Sequence, residues 1–149
     1  MESAATASLV QAGRYDCRIS DVKIGAEAND LGLRYGVFDL EIIDHPDADP
    51  VPLFAAVDVD DTLIGEDGLP KSDMDPVARS RFLGGLKVLE KLIRFTDVTP
   101  EEMAGAESVD DALAFFIGCT VKVAITKGTD RDGLPCNKVK TIIGASSNG

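Results

Sequence analysis

Apolar residues first recur at every second position. Tyr15, Cys17 and Ile19 alternate with Arg14, Asp16 and Arg18, the period of a strand with one face in a core. The phase then slips so that Val22 and Ile24 continue it, which predicts a bulge of the kind that bends a barrel strand. Gly25 to Gly32, with Asn29-Asp30, reads as a turn-rich connection. Leu33 to Ile43 reads as a second long strand, with Phe38, Leu40 and Ile42 on one side and Leu33, Tyr35 and Val37 on the other. After the loop His45 to Pro50 comes a third strand, Val51 to Val59, and then a loop from Gly65 to Met74.

From there the period changes to that of a helix. Asp75 stands as a cap with Pro76 at the first helical position, and Phe82, Leu86, Leu89 and Ile93 recur at helical spacing as one apolar stripe. Thr99-Pro100-Glu101-Glu102 fits a capping box, Ser108 starts a further short helix through Phe116, and Gly118 ends it. Val121, Val123 and Ile125 then alternate with Lys122, Ala124 and Thr126, Gly128 to Gly133 forms a loop, and Asn137 to Ile143 returns as the partner of a hairpin. The order is three strands within Gly13 to Val59, helices within Pro76 to Ile117, and two strands within Cys119 to Ile143. A mainly β fold with α is therefore expected: a five-stranded OB-fold-like barrel with a helical insert between strands three and four, which the long helix plugs. Exposed faces of such barrels commonly hold single-stranded nucleic acid.

At 149 residues, 44% of them apolar, the chain suits one core and one domain, residues 13–144, between flexible ends at 1–12 and 145–149. No apolar run approaches the roughly 18 residues of a membrane span, and the start lacks a secretory signal pattern. A cytoplasmic protein is expected. Cys17, Cys119 and Cys136 are unclustered, with no CxxC spacing; three reduced, buried thiols are expected rather than disulfides or zinc.

A net charge of −11 weighs against nucleic acid only as an average. From Asp44 to Asp75 there are ten acids against Lys71, whereas Cys119 to Gly149 carries Lys122, Lys127, Arg131, Lys138 and Lys140 against Asp130 and Asp132. Arg14, Arg18 and Lys23 add positive charge on the first strand, a neighbour of that hairpin in an OB barrel. Acidity disfavours tight nonspecific duplex binding but permits a basic groove.

Phe54 to Leu63 contains Asp58-Val59-Asp60-Asp61-Thr62, which resembles the nucleophile strand of haloacid-dehalogenase phosphatases. Those enzymes need a parallel βα sheet and a later lysine and acidic pair. Here antiparallel-looking strands precede the motif, so an acidic turn closing a strand is the expectation, with a phosphatase as the lesser alternative and divalent-ion binding by Asp58, Asp60 and Asp61 left open. His45, the one histidine, lies in a Pro/Asp loop without a catalytic partner.

Three segments carry a family resemblance: Ala12-Gly13-Arg14-Tyr15-Asp16-Cys17-Arg18-Ile19-Ser20-Asp21-Val22, Val37-Phe38-Asp39-Leu40-Glu41-Ile42-Ile43, and Ile117 to Val123 continuing through Asp132 to Val139. Together they resemble a family of phage-encoded proteins, often described only as a domain of unknown function, similar to OB-fold single-stranded DNA-binding proteins of phage replication and recombination. The resemblance implies a noncatalytic, sequence-tolerant mechanism in the host cytoplasm, without cofactors. Bases would stack on Tyr15 and Tyr35, less so on Phe38 and Phe54, while Arg14, Arg18, Arg34, Lys122, Lys127, Lys138 and Lys140 would contact phosphates. Asn137 would hydrogen-bond a base or, as the favoured reading, shape the strand start. Implied partners are single-stranded DNA and phage replication or recombination proteins, with homo-oligomerisation left open. The chain ends Ala145-Ser146-Ser147-Asn148-Gly149 rather than in an acidic tail, and has no Trp. Its 5% aromatic content favours the competing expectation of a structural or adaptor module.

Overall fold

The computed structural model describes residues 9–146 apart from residues 26 and 68. Five strands carry the fold: β1 (Gly13–Ile24), β2 (Leu33–Ile42), β3 (Val51–Val59), β4 (Thr120–Thr129) and β5 (Pro135–Ala145). They form one antiparallel sheet in the order β3-β2-β1-β4-β5. The sheet curls until its outer strands β3 and β5 lie against each other with no ladder joining them. The result is a mainly β half-barrel with an open seam. Three helices follow β3 in the chain and precede β4.

Bulges supply the curl. The β1–β2 register shifts between Ile19 and Asp21, leaving Ser20 as the extra residue, where the sequence phase slips. Another shift lies between Arg34 and Tyr35 in the β2–β3 pair, and two more lie in the β4–β5 pair. Inside the curve, Cys17, Ile19, Phe38, Leu40, Val121, Val123 and Ile125 are fully or almost fully buried, and Phe38 meets Phe116 edge to face at 6.2 Å between ring centroids. Burial, and secondarily the negative Asp16, pushes the Cys17 thiol up to about 12, so it stays protonated at neutral pH. All three cysteines are free, but only Cys17 is buried as expected: Cys119, just before β4, and Cys136, near the start of β5, are half-buried.

The long helix α1 (Pro76–Phe95) starts where Asp75 accepts hydrogen bonds from the backbone N–H of Val77 (2.8 Å) and Ala78 (3.1 Å). Its buried face is Ala78, Phe82, Gly85 and Leu92, which corrects the expected stripe: Leu86 is exposed. Gly85 explains the rotation. A Cβ there would lie 1.9 Å from the carbonyl oxygen of Ala56, so only glycine lets the helix rest directly on β3. The C-terminal half of α1 packs Leu92, with Val88, Leu89 and Ile93, into the barrel core. The N-terminal half joins Ala78 and Phe82 to Leu33, Ala56 and Met74 in a second, smaller core. Leu33 is thereby buried on the face opposite Phe38. Lys91 Nζ donates to Thr141 Oγ1 of β5 at 2.9 Å, so α1 bridges the seam at this end.

Two short helices complete the insert. α2 (Pro100–Ala104) carries the expected reciprocal capping box of Thr99 and Glu102, and α3 (Val109–Ala114) is capped by Ser108. Gly118, at φ 91°, turns the chain into β4. Of the ends expected to be flexible, residues 1–8 and 147–149 lie outside the described residues. Val10 is buried, and Ala145 pairs with Val121.

Candidate nucleic-acid interface

Away from α1 the seam opens into a cleft. The β4–β5 turn is tightened by Asp130, whose Oδ1 accepts from the backbone N–H of Asp132 (2.9 Å) and Leu134 (3.0 Å), with Gly133 at φ 81°. This turn overhangs a cavity of about 800 Å³ lined by Pro52, Leu53 and Phe54 from β3, by Thr129 to Asp132, and by Cys136 to Val139. Alternation along β3 sends Leu53 and Ala55 into the core and Phe54 outward. The Phe54 ring is 62% exposed, an apolar surface that water solvates poorly and a base can cover.

Cations surround it. The stem of Lys138 passes over Gly128, where a Cβ would come within 3.3 Å of its Cδ and Cε. Arg131 projects from the turn, and Lys127 and Lys140 are exposed nearby on β4 and β5. Among the described residues none of these four forms an ion pair. Inside the cleft Asp130 and Asp132 offset Arg131 and Lys138, so the positive excess resides in Lys127 and Lys140 beside it. Asn137 lines the cleft as structure: its Oδ1 accepts from Val10 N–H at 2.9 Å and its Nδ2 donates to Val10 O at 3.0 Å. That amide stands in for a strand pairing and holds the chain before β1 in the core.

The other expected contact residues are not gathered at the cleft. Arg14 and Lys122 are on the outer face of the β1–β4 ladder, where Asp16 lies opposite Lys122. Arg18 is ion-paired across the ladder with Glu41. Arg34 is clamped by Asp58 and Asp110, both at 3.0 Å, which hold its guanidinium charge even more firmly than usual, Asp110 first and Asp58 second. The Tyr15 ring packs against the core and meets His45 edge to face at 5.5 Å, and its hydroxyl donates to Gln11 O at 2.7 Å. Tyr35 is half-buried on the face of the β2–β3 pair that also carries Phe54. Phe54, ranked below the tyrosines, and Arg131, outside the expected set, are the residues that sequence reasoning undervalued. The outward parity of Phe54 between Leu53 and Ala55 was the available signal.

In the acidic turn two of the three carboxylates have local work. Asp58 pairs with Arg34, while Asp60 accepts from Thr62 N–H (3.0 Å) and Thr62 Oγ1 (2.9 Å), capping a single 3-10 turn at Asp61–Leu63. Those two bonds lower the Asp60 pKa. Among the described residues no three His, Cys, Asp or Glu side chains are grouped to hold a metal, and no helix is long and apolar enough to cross a membrane. Compared with protein-family models and with curated proteins, the chain finds no match.

Proposed function

We propose that this protein binds single-stranded DNA without catalysis, holding the strand in the seam cleft between β3 and β5. The observation that carries the reading is Phe54, an exposed ring on an otherwise packed strand, beside Arg131 and Lys138, which form no ion pair among the described residues. A stacked base is worth about 1–3 kcal/mol and is accepted whatever its identity, since every base has a π-face. Phosphates flanking that base meet Lys127, Lys138, Lys140 and Arg131, releasing counterions and making affinity salt-dependent. We read the half-barrel as an OB-fold on two grounds: the strand order β3-β2-β1-β4-β5, with β3 facing β5 across a seam, and the helix between β3 and β4. Membership of a phage replication or recombination family rests on the sequence resemblance alone.

The test is titration of a labelled oligothymidine at two salt concentrations with duplex competitor. Expected is length-dependent binding that weakens as salt rises and resists duplex. No binding at low salt overturns the reading. The adaptor alternative draws on a different observation, the exposed Leu69, Val77, Leu83 and Leu86 on and beside α1, apolar positions that suit a protein partner.

A further inference from the structure

Beyond Phe54, on the side away from the seam, lies a second depression of about 460 Å³. Its walls are Tyr35 from β2, Phe54 to Ala56 from β3, and Arg81, Gly84 and Gly85 from α1. Phe54 belongs to both hollows. Tyr35 pairs with Ala56, and Val37 with Phe54. Tyr35 and Phe54 are therefore diagonal neighbours on one face of the ladder, close enough for two rings to share a ligand chain.

The two α1 glycines differ in what requires them. Gly85 is demanded by contact with Ala56, whereas a Cβ on Gly84 would meet nothing within 4 Å. A helix-interior glycine costs about 1 kcal/mol against alanine, and packing supplies no reason for Gly84. Its missing side chain keeps the depression open beside Tyr35. Arg81, one turn before Gly85, has no ion pair or hydrogen-bond partner among the described residues. It belongs to a helix bearing Arg79, Arg81, Lys87, Lys91 and Arg94 against Glu90. A cationic helix in an acidic protein concentrates polyanions locally.

We infer that this depression is a second nucleotide subsite, in which a strand leaving the cleft over Phe54 lays its next base against Tyr35 and its phosphate on Arg81. The inference rests on the proposed cleft binding and extends it: the helical insert becomes part of the DNA track, not only a plug. Its occupant is single-stranded DNA because the depression continues the cleft through a shared aromatic ring and is lined by Arg81, a cation without a partner among the described residues.

The experiment compares affinities across a ladder of oligothymidine lengths for the wild type, Gly84→Gln, Arg81→Ala and Gly84→Ala. Gly84→Gln fills the depression without adding charge; Gly84→Ala adds only a methyl and serves as the control for helix stability. Expected is unchanged affinity for the shortest bound oligomers, roughly tenfold weaker binding of long ones by Gly84→Gln and Arg81→Ala, and saturation at a shorter length. Gly84→Ala, which adds only a methyl, should weaken the binding of long oligomers less than Gly84→Gln does. If Gly84→Gln and Arg81→Ala, both folded by circular dichroism, keep the wild-type length dependence, the subsite is wrong and the cleft stands. If the wild type binds no length, the cleft reading itself falls and takes the subsite with it.

Discussion

Cations on the two sides of β1 have opposite fates. On the β2–β3 side Arg18 pairs with Glu41, Lys23 lies 3.7 Å from Asp39, and Arg34 joins Asp58 to Asp110. On the β4–β5 side Lys122, Lys127, Lys138 and Lys140 pair with no acid among the described residues. Equal residue types thus do different work: the first set staples strands and an insert helix, and the second remains available to an external anion. Cross-strand register makes most of the division: Arg18 lies opposite Glu41 and Arg34 opposite Asp58, whereas Lys127 and Lys138 lie opposite Asn137 and Thr126, with Lys122, opposite Asp16, as the exception.

The sharpest way to break this contrast is to remove the free set. Changing Lys127, Lys138 and Lys140 together to Ala should flatten the dependence of log affinity on log salt by about 2, at about 0.7 per phosphate contact for single strands. Folding stability should stay within about 0.5 kcal/mol per site. A folded triple variant with the wild-type salt slope would place any nucleic-acid track elsewhere. The converse substitution, Arg34→Ala, should cost about 1–2 kcal/mol in urea unfolding. It strips the half-buried Asp58 of its charged hydrogen bond, while Asp110, more exposed, loses less. Oligonucleotide affinity should not change; weaker binding by folded Arg34→Ala would show that the clamped arginine also serves the ligand.

Cys17 probes what the two sides share, since it pairs with Ile42 of β2 and with Val121 of β4. Its folded pKa is raised to about 12 from the ordinary 9.0. The stability it protects is whole below pH 9 and is lost as pH climbs toward 12, by up to about 1.4 kcal/mol per pH unit. Between pH 9 and 11 the wild type should therefore lose more unfolding free energy than Cys17→Ala; parallel curves would mean that the thiol does not govern the alkaline limb. The smallest effect belongs to Asp132. Asp132→Asn removes one of the two acids in the cleft and should tighten oligothymidine binding a few-fold at low salt, with the gain vanishing at high salt.

Local punctuation was readable because each signal is complete within a few residues. Asp75 before Pro76, Thr99 with Glu102, Ser108 and the phase slip near Ser20 all act where they were expected to act, whereas the helix expected to run through Phe116 to Gly118 stops at Ala114 and Gly118 serves the turn beyond it. Burial on a strand with apolar residues on both faces was not readable. Leu33 is sealed from outside by Ala78 and Phe82 of α1, residues more than forty positions later, whereas Phe54 escapes cover because α1 crosses β3 at Ala56, where Gly85 touches it. Likewise, Leu86 lies outside the buried stripe because the contact at Gly85 sets the rotation of the whole helix. The interface suffered most from this. Which cations and rings remain free depends on partners such as Asp110 for Arg34 or His45 for Tyr15, brought close only by the finished fold.

The amide of Asn137 clasps Val10 from within the wall of the cleft. A base that reached for that amide would have to displace the backbone of Val10 first, because both of its polar atoms are already engaged there. Because the clasp is a side chain and not a ladder, it can open without unzipping any strand. The segment leading into β1 is thus tied to the cleft-lining Asn137 by two hydrogen bonds of one side chain.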